Sequence, residues 1–315
     1  MQIKSYFQTM KDGAKIKVNK WLPDEEVPVK GVLVLHHGLA EHSMRYDRFG
    51  SVLSENGYIL IAHDVRGHGA TAEKAVNTKT GRFGQLSLKD GFNKAVEDLY
   101  EIVITAKAEY PGVKIISMGH SFGSFVTQRF IEKYSHQVDG CILCGTSYMP
   151  QYVTHAGHAL ACIVRAFRGK NNCSKFLKTV AFGSYDKRIE DKFSPNAWIS
   201  VSKLNVEMYD MDQWCGIPLT NSFFCDLLYG LNQIGKNKNI AGIRNDLPVF
   251  FIYGSEDPVG NYGKSIKILY SKYEHKGMDK LSIKEYTGDR HEILNEDDKE
   301  TVEVDILNFL GNLTK

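Results

Sequence analysis

The sequence predicts an α/β protein with a mostly parallel, doubly wound sheet, and three observations support that prediction. Short apolar runs, such as residues 32–36 and 58–64, are typical of strands that are covered on both faces. Segments with apolar residues at helical spacing separate these runs, and alternation of this kind indicates a parallel sheet. A chain of 315 residues with 43% hydrophobic content can bury a full core and suits one large domain that carries an insertion.

The individual elements can be placed along the chain from their apolar patterns. Residues 3–21 alternate around a turn at 11–13 and predict an antiparallel hairpin at the edge of the sheet. Ser87 and Asp90 have the spacing of a capping box ahead of a long helix. The remaining predicted strands are residues 32–36, 58–64, 113–117, 138–145, 247–254 and 281–286, and the predicted helices include residues 46–55, 92–106, 125–133 and 301–310.

One turn between a predicted strand and a predicted helix has the sequence GHSFG, residues 119–123. A G-x-S-x-G turn holds its serine in a strained backbone conformation and lifts the hydroxyl clear of the sheet. The apolar strand before it and the amphipathic helix after it are the context that this motif requires. Ser121 is therefore the candidate nucleophile, with an ordinary structural turn as the alternative.

A serine nucleophile needs a base within hydrogen-bond reach and a third group that orients the base. In the architecture that this turn implies, the acid follows a later strand and the histidine lies near the C-terminus. Asp257 follows the strand at 247–254, and His291 follows the strand at 281–286. These residues are the candidate acid and base. Asp64 and His68 precede the serine, and the glycines around His68 favour a structural turn there.

Acyl transfer also needs backbone N–H groups that stabilise the negative charge on the carbonyl oxygen. In this architecture, one comes from the residue after the nucleophile and the other from the loop after an earlier strand. Phe122 and Leu39 occupy these positions. Glu41, His42 and Arg45 are expected to shape the loop by hydrogen bonding. The predicted chemistry uses no cofactor.

The alternation of strands and helices stops between about residues 149 and 241. This segment has short helical patterns and many aromatic residues, most of which we expect to form its own core. The sequence therefore predicts a core made of residues 1–148 and 242–315, with residues 149–241 inserted as a helical cap over the candidate site. The aromatic candidates for lining an apolar passage in the cap are Trp214, Phe223 and Phe224.

Composition and charge exclude several classes of function. Lys and Arg number 39 against 37 Asp and Glu, so a formal charge of +2 argues against nucleic acid as a partner. The N-terminus lacks an apolar signal core, and no stretch approaches the roughly 18 apolar residues of a membrane span. We expect a cytoplasmic protein with a small lipid-like or ester substrate. Peripheral membrane contact through the cap is compatible with the sequence, although no basic amphipathic stretch favours it.

The cysteines and histidines do not predict a metal or redox centre. Six cysteines in a chain of this length do not form a dense disulfide framework. Cys141 and Cys144 lie within an apolar strand pattern, so they are expected to be buried free thiols on opposite faces of the sheet. His36, His37 and His42 lack a carboxylate at ligand spacing, and no metal site is predicted.

Five segments together resemble the α/β-hydrolase family of monoacylglycerol lipases and bacterial lysophospholipases, which is also grouped with serine aminopeptidase-like hydrolases. The segments are HGLAEHSMRY (37–46), DVRGHG (64–69), GHSFG (119–123), YGSEDP (253–258) and YTGDRHE (286–292). The resemblance implies an α/β-hydrolase fold with the roles given above for Ser121, Asp257, His291, Leu39 and Phe122. Many monoacylglycerol lipases have Met at the position of Phe122, and the larger ring is expected to narrow the acyl site.

The leading hypothesis is a serine hydrolase that cleaves the ester of a lysophospholipid or monoacylglycerol through an acyl-enzyme. A short-chain carboxylesterase, a thioesterase or a small amide hydrolase is the alternative within the same chemistry. A catalytically silent binding protein is the alternative outside it. Dehalogenases and epoxide hydrolases of this fold use an aspartate nucleophile, which Ser121 disfavours.

Overall fold

The computed structural model describes all 315 residues, Met1–Lys315, and its strands form one eight-stranded sheet. The strands are β1 (Gln2–Thr9), β2 (Lys15–Leu22), β3 (Gly31–His36), β4 (Tyr58–His63), β5 (Lys114–His120), β6 (Gly140–Cys144), β7 (Val249–Gly254) and β8 (Leu281–Tyr286). The helices are α1 (Asp47–Glu55), α2 (Gly69–Asn77), α3 (Gly91–Glu109), α4 (Phe122–Tyr134), α5 (Gln151–Arg168), α6 (Lys175–Phe182), α7 (Lys203–Met211), α8 (Asn221–Gln233), α9 (Asn237–Ile240), α10 (Lys264–His275) and α11 (Lys299–Leu313).

The sheet has the order β1-β2-β4-β3-β5-β6-β7-β8. Strands β1 and β2 form an antiparallel hairpin at one edge, and β2 pairs antiparallel with β4. All other neighbours, from β4 across to β8, are parallel. The predicted edge hairpin and the mostly parallel sheet are therefore confirmed.

Side chains alternate between two cores, one on each face of the sheet. Val32 and Val34 of β3 pack into the larger core with residues of α3, α4 and α10, whereas Leu33 and Leu35 pack into the other with α1 and α11. Burial on both faces explains why the parallel strands read as nearly continuous apolar runs. Cys141 and Cys144 are free, buried and assigned to opposite cores, as their positions in the strand predicted.

The capping box predicted at Ser87 and Asp90 is wrong. Helix α3 begins at Gly91, and Asp90 lies in the left-handed backbone region at φ 55°, where its side chain caps nothing. The carboxylate of Asp226, on α8, instead accepts a hydrogen bond from the N–H of Gly91 at 3.0 Å. A residue far along the chain thus satisfies the first turn of this helix.

Between β6 and β7 the chain forms only helices, α5 to α9, together with a 3-10 turn at Ala197–Ile199. A small apolar core lies within this segment and includes Ala161, Leu177, Phe224 and Cys225. The predicted insertion of a helical cap after the strand that follows Ser121 is confirmed. The carboxyl ends of β5, β7 and β8 place Ser121, Asp257 and His291 at one edge of the sheet, on the side of this cap.

Candidate active site

Ser121 lies in the turn between β5 and α4 and has a strained backbone, with φ 53° and ψ −121°. Its N–H donates to the carbonyl of Cys144 at 3.0 Å, and its carbonyl accepts from the N–H of Ser124 at 2.9 Å. A Cβ at Gly123 would lie 1.9 Å from the carbonyl oxygen of His36, so only glycine fits there. The predicted strand, sharp turn and helix are therefore present around the serine.

Asp257 and His291 come together after β7 and β8. The imidazole Nδ1 of His291 lies 3.0 Å from Oδ1 of Asp257, and both side chains are buried. The N–H of Val259 donates to the same Oδ1 at 2.8 Å, which fixes the carboxylate. The other ring nitrogen of His291, Nε2, makes no hydrogen bond within the chain. That nitrogen is buried, and its hydrogen-bonding capacity is unused within the chain.

The pKa of His291 is raised above its ordinary value by its surroundings. Burial, the largest single effect, lowers this pKa, but the charge and hydrogen bond of Asp257, together with the charges of Glu292 and Glu41, outweigh it. The neighbouring His120 ring lies 4.7 Å from His291, and burial together with that neighbour lowers the pKa of His120 to about 4. His120 is therefore neutral while His291 titrates.

Trp198 and Gly145 enclose the ring of His291. The ring centroids of Trp198 and His291 are 5.3 Å apart. A Cβ at Gly145, which has φ +54°, would lie 3.0 Å from Cε1 of His291. The sequence analysis assigned neither residue to the site. No local pattern marks them, because each acts on a histidine that is remote in sequence.

The cap segment at residues 197–202 is bound to the loop that carries His291. Most of these hydrogen bonds involve a backbone group. Arg290 Nη1 donates to the carbonyls of Ala197 (2.7 Å) and Ser200 (3.0 Å). The N–H of Glu292 donates to the carbonyl of Ile199 (2.7 Å). The N–H groups of Val201 and Ser202 donate to the carboxylate of Glu296. The cap and the histidine loop thus form one hydrogen-bonded unit.

The two N–H groups predicted to stabilise an oxyanion belong to Phe122, which follows Ser121, and to Leu39, which follows Gly38 in the loop after β3. Phe122 is the first residue of α4, so its N–H lies at the positive end of the helix dipole. Gly38 brings the loop after β3 against the serine, since a Cβ there would lie 3.2 Å from the Cβ of Ser121. Neither the N–H of Phe122 nor that of Leu39 donates a hydrogen bond within the chain. Both donors are free to bind a ligand atom.

A buried charge network holds the loop after β3 to the histidine loop. Arg45 donates to Glu292 from both terminal nitrogens, at 2.6 and 2.7 Å, and to Glu41 at 2.9 Å. Asn205 of the cap donates to Glu292 at 2.8 Å. Although burial raises the pKa of Glu292, the charge and hydrogen bonds of Arg45 outweigh it and hold the pKa at about 2. Glu41 and Arg45 shape the loop as predicted, whereas Glu292 and Asn205 were missed.

The three aromatic residues predicted to line an apolar passage in the cap differ in how deeply they are buried. Phe223 is buried in the larger core with its ring 5.5 Å from that of Phe122, and Phe224 belongs to the cap's own core. Trp214 is partly buried, with its ring 5.3 Å from that of His42. The ring of Phe122 packs against Phe92 and Phe223. The ring of Phe122 therefore lies in the larger hydrophobic core.

The polar residues considered as alternatives have structural contacts. Asp64 accepts from the N–H of Ser43 at 2.9 Å and from the N–H of Ala70 at 2.8 Å, which agrees with a structural turn. His42 bonds Asp212 of the cap at 2.8 Å, and Cys215 brings a third possible metal ligand close to them. Burial raises the pKa of Cys215, so the thiol is protonated at neutral pH. The His42 and Asp212 pair serves as a link between loop and cap.

An α/β-hydrolase is the class of protein that this sheet, the strained serine turn and the insertion after β6 define. The family described as serine aminopeptidase, S33 matches residues 27–298, and the chain belongs to that family. It is a carboxylic ester hydrolase, like the monoacylglycerol lipases it resembles.

Two relatives and one solved structure illustrate the similarity. The chain is 25% identical to a monoacylglycerol lipase of Mycolicibacterium smegmatis over 302 residues, which cover 95% of this chain and 93% of the relative. It is 34% identical to a monoglyceride lipase homolog of monkeypox virus over 98 residues, about a third of either protein (31% and 32%). A thermostable carboxyl esterase from Bacillus coagulans, solved with glycerol, has a TM-score of 0.90 at 24% identity, with both chains fully covered (100%). That likeness supports the fold.

Proposed function

We propose that the chain cleaves carboxylic esters through an acyl-enzyme formed on Ser121. His291 takes the proton of the Ser121 hydroxyl as that oxygen attacks the ester carbonyl, and then donates it to the leaving alcohol. Water, deprotonated by the same histidine, attacks the acyl-serine and releases the acid. Asp257 orients the imidazole. The observation that carries the proposal is the buried pair of His291 and Asp257 with Nε2 left without a partner, together with a serine in a strained turn at the same edge of the sheet.

The oxyanion of the tetrahedral intermediate binds the N–H groups of Leu39 and Phe122. The support is that Phe122 follows Ser121, that Gly38 before Leu39 packs against the serine, and that neither N–H has a partner in the chain. Preorganised donors of this kind stabilise the intermediate without the cost of reorienting solvent. Removing one such donor typically lowers kcat by about a hundredfold or more.

The substrate that we propose is a monoester with a long acyl chain, a monoacylglycerol or a lysophospholipid. Relatives that are named monoacylglycerol lipases support this choice. In the proposed organisation, residues 1–148 and 242–315 form the catalytic core and residues 149–241 form the cap. Trp214, Phe223 and Phe224 remain the candidates for contact with the acyl chain.

A short-chain esterase is the second candidate. It is kept because the chain is also similar throughout to a protein named only as a carboxyl esterase, without mention of a lipid. The family's description as a serine aminopeptidase also keeps small amides among the substrates to be tested. These candidate functions use the same proposed triad and differ only in which substrates the cap allows into the site.

The test is release of fatty acid from monooleoylglycerol and from lysophosphatidylcholine, measured beside hydrolysis of p-nitrophenyl acetate and butyrate. Wild type and Ser121→Ala are compared, with labelling by a fluorophosphonate probe as a second readout. Cleavage of the long-chain lipids by wild type alone supports the proposal. Turnover of the short esters alone replaces it with the short-chain esterase. An active or labelled Ser121→Ala variant, or an unlabelled wild type, contradicts the proposed nucleophile.

A further inference from the structure

Three side chains that can bind a metal converge where the loop after β3 meets the turn that follows α7. His42 and Asp212 are joined by the 2.8 Å hydrogen bond between imidazole Nε2 and carboxylate Oδ2. The thiol of Cys215 lies beside them, and one ligand atom from each of the three residues falls within 4.8 Å of the other two. No other three histidine, cysteine or carboxylate side chains of the chain come together in this way.

The turn that carries Asp212 and Cys215 is held in shape by its own hydrogen bonds. The N–H of Trp214 donates to Oδ1 of Asp212 at 2.8 Å, while the other carboxylate oxygen, Oδ2, faces His42. The N–H of Cys215 donates to the carbonyl of Asp212 at 3.0 Å. Carboxylates that bind metals are commonly supported by hydrogen bonds of this kind. The carboxylate is therefore already oriented with one oxygen available at the cluster.

The same turn is fixed to the loop after β3. The N–H of Gly216 and the hydroxyl of Tyr209 both donate to the carbonyl of Ala40, each at 2.9 Å. His42 follows Ala40 by two residues, and its side chain is buried. Because these hydrogen bonds join the two segments, the imidazole is held opposite the carboxylate and the thiol. The ligand set is thus preorganised across the boundary between loop and cap.

The charges around the cluster favour a cation. Three carboxylates act on the thiol of Cys215, namely those of Glu41, Asp212 and Glu292. The one cation that acts on the same thiol is Arg45. Its guanidinium is already engaged at 2.9 Å with Glu41 and at 2.6 Å with Glu292. A divalent cation beside Asp212 would therefore neutralise negative charge that Arg45 does not balance.

We propose that His42, Asp212 and Cys215 bind a zinc ion, with a water molecule as the fourth ligand. Zinc accepts imidazole nitrogen, carboxylate oxygen and thiolate at about 2.0 to 2.3 Å in a tetrahedral arrangement, so its ligand atoms lie about 3.3 to 3.6 Å apart. Small side-chain movements bring the three present atoms to those separations. The thiol proton of Cys215 passes to solvent as the Zn–S bond forms. Magnesium and calcium are disfavoured, because they prefer oxygen ligands throughout.

The ion has a path from solvent to the cluster. The Asp212 side chain is 31% exposed, and Cys215 is partly exposed beside the exposed Gly216. No metal site was predicted from the sequence, because the carboxylate that faces His42 comes from 170 positions away. Bound zinc would strengthen the link between the cap and the loop that carries Leu39. The inference does not depend on the proposed ester hydrolysis.

The test is calorimetric titration of the full chain with zinc chloride, after treatment with a chelator. We expect one ion per chain and a higher unfolding temperature, because the ion binds only the folded arrangement of ligands. Cys215→Ser and Asp212→Asn should each weaken binding by about a hundredfold or more, since loss of a residue that merely supports a ligand already costs about ten- to a hundredfold. Cobalt gives a second readout. The wild type should develop the near-ultraviolet absorption of a thiolate bound to cobalt, and Cys215→Ser should not.

Matched controls remove the same residue types elsewhere. Cys162→Ser removes a partly buried thiol that lies 3.5 Å from Nε2 of His158, and Asp186→Asn changes an exposed aspartate paired with Lys192. Both should bind zinc and cobalt like the wild type. Unfolding of the metal-free variants checks that each is folded, and Asp212→Asn keeps the test decisive if Cys215→Ser is unstable, because the Asp212 side chain is partly exposed.

Several results would overturn the proposal. They are no zinc binding, binding that survives both Cys215→Ser and Asp212→Asn, or an equal loss in Cys162→Ser, which would indicate an adventitious site on α5. Zinc binding by a chain that hydrolyses no ester would leave this inference standing and reject only the proposed function. Ester hydrolysis without zinc binding would do the reverse.

Discussion

The indole ring of Trp198 lies 5.3 Å from the imidazole ring of His291, with the two planes tilted by 38°. His120 lies on the same imidazole at 4.7 Å. The turn that carries Trp198 is bound to the histidine loop, because Arg290 donates to the carbonyl of Ala197 at 2.7 Å. The cap therefore contributes directly to the orientation of the proposed base.

Trp198→Ala should lower kcat for a soluble ester by about ten- to a hundredfold, since small displacements of a reacting group are costly. Trp198→Phe should restore most of the activity. Burial lowers the pKa of His291, so exposing the ring should move the ascending limb of the pH profile to higher pH. Phe193→Ala, an exposed aromatic of the cap, is the control and should change neither quantity. A loss of stability without a change in the pH profile would indicate a merely structural role.

Gly145→Ala should reduce activity by at least about tenfold, because the added Cβ would press on His291 at 3.0 Å. The control is Gly112→Ala, which has a similar positive φ but nothing within 4 Å of the added Cβ. Both variants should lose about 1 to 2 kcal/mol in free energy of unfolding from backbone strain. Ester hydrolysis and urea unfolding separate the effects. Equal activity in the two variants would contradict the assigned contact.

Ser121→Gly should be more stable than Ser121→Ala by about 1 kcal/mol, because glycine relieves the strain at φ 53°. Both variants lack the hydroxyl and should be inactive, so the comparison isolates the backbone. The control pair is Ser124→Gly and Ser124→Ala within α4, where alanine should be the more stable. Urea unfolding measures all four. The same order at both positions would argue against strain at Ser121.

The activity should rise with pH along a limb whose midpoint lies above the ordinary pKa of histidine. His291 must be neutral to act as a base, and its raised pKa keeps it protonated to higher pH. Asp257→Asn removes the charge that raises this pKa, so the limb should shift to lower pH. The kcat should fall by about 10⁴-fold, since the imidazole is no longer held in the correct tautomer. A limb that stays in place in Asp257→Asn would refute this assignment.

Arg45→Met should destabilise the fold by about 3 to 5 kcal/mol, because it leaves the buried carboxylates of Glu41 and Glu292 without their cation. Adding Glu292→Gln should recover part of the loss. Arg45→Lys should recover less than half, since lysine cannot donate two parallel hydrogen bonds to Glu292. Lys203→Met, at an exposed lysine paired with the exposed Asp191, should cost about 1 kcal/mol or less in the same unfolding measurement. Similar losses at Arg45 and Lys203 would contradict the model of a buried network.

The sheet, the serine turn and the chain order of Ser121, Asp257 and His291 could all be predicted from the sequence. Each of these depends on neighbouring residues, because apolar runs mark strands that are buried on both faces and a G-x-S-x-G turn requires only its two flanks. Cys141 and Cys144 were placed on opposite faces for the same reason, since side chains alternate along a strand. The insertion was also visible, as a break in a repeating pattern.

The surroundings of those residues could not be predicted, because they depend on contacts between distant parts of the chain. Arg45 and Glu292 are 247 positions apart, and Asp226 caps a helix that begins 135 positions earlier. The contact of Trp198 with His291 and the packing of Phe122 into the core likewise depend on how separate elements pack. Such contacts leave no periodic signal, because hydrogen bonds, burial and charge act through space between residues whose spacing along the chain is arbitrary.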